Sequence, residues 1–107
     1  MVRLPTHPVR NDAPWPVTLV LEPWGEVVPL PGLGQVAVTV WGEHAAQTEL
    51  LWDDRHVTVF AAPGTTLTVE DASGVQVLDI DIPVPGLPDG MSTRAFLGCV
   101  LGGEHDI

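Results

Sequence analysis

A chain of 107 residues with 45% hydrophobic side chains has the size and apolar content of one domain around one core, which excludes wholesale disorder. Fourteen acidic residues against four arginines, with no lysine, give a formal charge of −10 and set the chain against nucleic acid and anionic lipid. No apolar run approaches the roughly 20 residues of a membrane helix, and the single Cys99 leaves no internal disulfide.

Residues 1–16, MVRLPTHPVRNDAPWP, hold four prolines and two of the four arginines, without the continuous apolar stretch of a secretory signal. They read as an N-terminal arm, and a cytoplasmic location is expected. Beyond them the acidity sharpens. Residues 17–107 carry two arginines against thirteen acids, a net −11.

From Val17 the apolar period is two. The runs 17-VTLVLE-22, 35-QVAVTVW-41, 47-QTELLW-52, 56-HVTVFA-61, 66-TLTVE-70 and 74-GVQVLDIDI-82 alternate as half-buried strands do. Asp53-Asp54-Arg55 reads as a hairpin loop and Asp71-Ala72-Ser73-Gly74 as a type I turn. Pro31-Gly32 and Pro63-Gly64 mark further breaks. The pattern predicts an all-β fold, a single antiparallel β-sandwich or small barrel of about 6–8 strands over 17–82. In the last run Val75 and Val77 fall on one face, and Leu78, Ile80 and Ile82 on the other. A β-bulge near Val77-Leu78 would turn all five inward and leave Asp79 and Asp81 as outer neighbours. Residues 83–107 are a Pro-rich linker and a C-terminal segment expected to pack on the core or on a neighbouring copy. Within it Ser92 or Thr93 caps a short helical turn through Phe96 and Leu97, ended by Gly98.

The tripeptide Trp-Gly-Glu occurs at 24–26 and again at 41–43, each time closing an apolar run. The expectation is a strand terminator, with Gly25 and Gly42 permitting the turn and the indole covering the rim of a core. The alternative is a sugar-stacking platform of Trp15, Trp24, Trp41 and Trp52 with Glu22, Glu26 and Glu43. Asp53/Asp54 and Asp79/Asp81 are paired carboxylates without calcium-loop spacing. Candidate binding residues are therefore Trp24, Glu26, Trp41, Glu43, Asp53, Asp54, Asp79 and Asp81. His7, His44, His56 and His105 are scattered without zinc-ligand spacing. Ser73 and Ser92 lack a nucleophile elbow, and Cys99 lies in an apolar run where thiols are inert. No catalytic residue, metal or cofactor is expected.

The run Leu21-Glu22-Pro23-Trp24-Gly25-Glu26, followed by Leu30-Pro31-Gly32 and Ala62-Pro63-Gly64-Thr65, resembles a group of short uncharacterised bacterial proteins. Those share an LEPWGE-like opening, a Leu-Pro-Pro-Gly turn and a Trp-Pro-Gly-Ser segment. The likeness spans residues 18–70, departs at the second and third elements, and implies a compact β-domain with no activity attached.

Three functions fit these residues. The first is a non-catalytic acidic module of the accessory, inhibitor or immunity type, binding a basic protein. The second is a self-assembling structural β-domain whose two ends reach neighbouring copies. The third is a small-ligand or carbohydrate-binding module built on the tryptophans.

Overall fold

The computed structural model of the protein describes residues 6–87 and 91–100. Among the described residues eight strands form: β1 Thr6–Arg10, β2 Val17–Glu22, β3 Glu26–Leu30, β4 Gln35–Trp41, β5 Glu49–Trp52, β6 His56–Phe60, β7 Thr66–Asp71 and β8 Gln76–Ile80. One helix follows, α1 at Thr93–Val100. The strands make two four-stranded sheets, ordered β1-β4-β7-β8 and β3-β2-β6-β5. The two-residue period places Val17, Leu19 and Leu21 inward on β2, Val36, Val38 and Val40 on β4, Val57 and Val59 on β6, and Leu67 and Val69 on β7. These residues of both sheets close on one core, joined by Val9, Leu30, Ile80 and Val84.

Several expectations need correction. The fold is not purely antiparallel, because β2 runs parallel to β6 (Leu19 opposite Val57) while the other five strand pairs are antiparallel. Between them the chain crosses to the other sheet through β4 and returns through β5, so no hairpin dictates their direction. The segment read as an arm supplies β1, paired with β4 and burying Val9. Its Pro8 is tolerated because β1 is an edge strand. At an edge of the other sheet, β3 likewise carries Pro29, and its proline hid it from the alternation.

The expected irregularity in β8 is present: Val69 faces Leu78 and Glu70 faces Gln76, which leaves Val77 as the extra residue. Its predicted consequence fails. Val75, Val77 and Ile82 are exposed, Leu78 is half-buried, and only Ile80 is buried. The strand lies at a sheet edge and ends at Ile80, so its flanks have no opposing layer to enter.

A 3₁₀ turn at Ala45–Gln47 delays β5 to Glu49. Helix α1 starts where predicted, with the Ser92 hydroxyl accepting the Ala95 N–H at 3.1 Å, but runs through Gly98 to Val100. Buried Thr93 donates its hydroxyl to the Ala61 carbonyl, and Arg94 pairs with Glu49 at 3.7 Å, so the segment begins against the main body. The expectations for the Cys99 thiol and for His105 lie outside the described residues.

Candidate functional site

Strand registers gather the connections at two ends. Segments 11–16, 31–34, 53–55 and 72–75 lie at one, here the Asn11 end; segments 23–25, 42–48 and 61–65 lie at the other, the Trp24 end.

Asn11 is the hub of the first. It is 2% exposed, and its amide nitrogen donates to the carbonyls of Trp15 at 2.8 Å and Pro31 at 3.0 Å, while its oxygen accepts the Ala13 N–H at 3.0 Å. Its own N–H donates to Gly34 O, and Leu33 N–H to Ala13 O. The loops meet so closely that a Cβ on Gly32 would lie 2.2 Å from Pro14 O. This clamp holds Trp15 beside the β5–β6 turn, where its indole N–H donates to Asp54 O at 3.4 Å.

Trp15, Trp52, Arg10, Asp12, Asp53 and Asp54 line a cleft of about 300 Å³. Both indoles remain about half exposed, at 49% and 47%. Arg10 Nε sits 2.9 Å from an Asp12 carboxylate oxygen, so the one arginine of the cleft wall is already paired. Asp53 Oδ1 accepts the backbone N–H groups of Arg55 and His56 at 2.9 and 2.8 Å, with the His56 ring at 3.4 Å. Those N–H groups, Arg55 first, hold the Asp53 carboxyl below the ordinary carboxylate range. In the β7–β8 turn Asp71 does the same work. Its Oδ1 accepts the Ser73 hydroxyl at 2.6 Å and the Val75 N–H at 3.0 Å, and its carboxyl is likewise held low.

The Trp24 end answers the question of the repeated tripeptide. Trp24 and Gly25 form the β2–β3 turn, with Gly25 at φ 77 and its N–H on Leu21 O at 2.9 Å. The half-buried Trp24 indole packs against the core and donates to Ile82 O at 2.8 Å. Trp41 ends β4 on the outer face of the other sheet, 43% exposed, donating to Thr68 Oγ1 at 3.2 Å. Gly42 follows at φ 144, and a Cβ there would sit 2.9 Å from Gly64 O. Each tripeptide ends a strand where glycine is required. The two belong to different sheets.

Of the eight candidates, Asp53 and Asp54 share the cleft. Trp41 bonds Thr68, which faces Asp79 across the β7–β8 pair; Glu26, Glu43, Asp79 and Asp81 are exposed. The tryptophans that line one cleft together are Trp15 and Trp52. Sequence reasoning missed Asn11 as well, whose signal was the Asx-turn spacing Asn11-Asp12-Ala13. A second hollow of about 580 Å³, mostly apolar, runs between edge strands β3 and β8 past Val27, Val28, Val77 and Leu78. No family model, curated protein or solved structure matches the chain.

Proposed function

We propose that this chain is a non-catalytic, cytoplasmic β-sandwich module whose acidic surface binds a basic partner protein. A shared core between two sheets supports the sandwich. The observation that carries the binding role is the distribution of its carboxylates. Asp12, Glu26, Glu43, Asp53, Asp54, Glu70, Asp79 and Asp81 are exposed over both ends and both sheets, while the described arginine ion pairs engage Asp12 and Glu49 alone. Such a surface speeds encounter with cationic proteins and weakens its hold as salt rises. The test is capture from lysate at low salt, elution at high salt, and titration of the recovered protein against the pure chain. Recovered proteins no more basic than the lysate average, or retention indifferent to salt, would sink the reading.

The β3–β8 hollow favours self-assembly as a second reading, since Val27 and Val77 lie exposed on two unpaired strand edges. Light scattering decides it: a monomer mass at high concentration removes it.

A further inference from the structure

We infer that the Trp15–Trp52 cleft receives one arginine side chain of the basic partner. The inference rests on the acidic-module reading and gives it an anchor.

The cleft unites two features that recognise a guanidinium. Indole is the best aromatic partner for a cation, and arginine stacks on aromatic surfaces at lower desolvation cost than lysine. Asp53 and Asp54 supply carboxylates in the same wall, and the hydrogen bonds on Asp53 fix one of them in place. Arg10 does not compete for the cleft's charge, because it is bound to Asp12. Arg55, in the same turn, is exposed and does not line the cleft.

Size and donor geometry narrow the occupant. A volume of about 300 Å³ admits a side-chain head group, and lies at the small end for larger organic ligands. Among the described residues no three of His, Cys, Asp or Glu are placed to hold a metal ion, and Asp53 and Asp54, the acids of the wall not paired with Arg10, suit an organic cation. Tryptophan and arginine are also the residues that dominate binding energy where proteins meet.

The site is preorganised. Trp15 follows a loop held by buried Asn11, and Trp52 ends a strand paired to β6. Little ordering remains to be done when a side chain enters, which favours affinity.

The experiment follows the four indole N–H resonances of the ¹⁵N-labelled full chain during titration with hexaarginine. At low salt the Trp15 and Trp52 resonances move while those of Trp24 and Trp41 stay, and high salt reverses the shift. Trp52→Ala weakens the peptide about tenfold. Asp54→Asn, on an exposed turn that keeps its fold, weakens it about threefold. Salt-sensitive binding with unmoved Trp15 and Trp52 overturns the cleft and leaves the acidic module standing. No binding at low salt overturns both. Hexalysine binding as tightly with the same shifts overturns the guanidinium assignment. The same shifts with a neutral oligosaccharide such as cellohexaose, and not with hexaarginine, make the cleft a sugar site instead.

Discussion

The two ends of the molecule each carry two tryptophans and use them differently. At the Trp24 end the indoles are tied to the protein's own groups, Trp24 to the Ile82 carbonyl and Trp41 to the Thr68 hydroxyl. At the Asn11 end the Trp15 indole also donates to the Asp54 carbonyl, but Trp15 and Trp52 flank a cleft, and buried Asn11 holds the loop that carries Trp15. The difference teaches that an aromatic's motif says less about its use than what fixes the backbone beside it. Trp-Gly-Glu, repeated and conspicuous, terminates strands. Trp15-Pro16 and Trp52-Asp53, which share no motif, are brought together by topology.

The largest effects should come from unlocking the Asn11 end. Asn11→Ala strands the part-buried carbonyls of Trp15 and Pro31, the buried carbonyl of Leu30 and the Ala13 N–H, and is expected to cost about 3 kcal/mol. Calorimetry should show a Tm lower by about 10–20 °C. Gly32→Ala, with its methyl driven into Pro14 O, should unfold the same end by a comparable amount. If either variant melts like the parent, the clamp is not what orders the cleft.

The next test contrasts the ends directly. Trp24→Phe loses the bond to Ile82 O and part of a core contact, and is expected to cost about 1–2 kcal/mol in urea unfolding. Trp52→Phe, half exposed, should stay within about 0.5 kcal/mol. Equal losses would erase the distinction between the core-packed Trp24 and the cleft-lining Trp52.

A smaller effect of opposite sign sharpens the picture of the 31–34 loop. Leu33 holds φ at 61 while its side chain is 65% exposed, so it bears left-handed strain without packing in return. Leu33→Asn is expected to stabilise by about 0.5–1 kcal/mol, read as a raised urea midpoint. A lowered midpoint would mean that the leucine contacts matter more than its backbone.

What the sequence made legible follows from the same contrast. Strands β2, β4, β6 and β7 announced themselves because each has a buried face of Val or Leu alternating with a more exposed face. Edge strands β1 and β3 did not, since Pro8 and Pro29 look like breaks until a free edge is known to receive them. In β8 the extra residue was visible, but whether Val75 and Val77 point inward depends on there being a layer opposite, and alternation carries no information about that. The parallel β2–β6 pair and the cleft shared by Trp15 and Trp52 bring together segments about forty residues apart, beyond any local signal. Asn11 escaped because its partners are backbone carbonyls, which every sequence has.

The smallest effect is electrostatic, and it too belongs to the Asn11 end. Asp53 and Asp71 are both held below the ordinary carboxylate range, Asp53 first by the Arg55 N–H and Asp71 first by the Ser73 hydroxyl. A carboxyl depressed in the folded state is more readily ionised there than in the unfolded chain. Its contribution is therefore complete above the unfolded value, near pH 4, and disappears as pH falls through the lower folded value. Stability should thus be flat at neutral pH and decline below about pH 4 as the two turns lose their charged acceptors. Both carboxyls are open to solvent, so the slope is shallow and added salt screens little of what is hydrogen bonding. Asn at either position keeps an Oδ1 acceptor for the turn while removing the titration. Asp53→Asn and Asp71→Asn together should flatten the acid limb of a Tm-versus-pH curve and change Tm only slightly at pH 7. A double variant with an unchanged acid limb would assign that slope to carboxylates elsewhere and reduce these two aspartates to neutral turn formers.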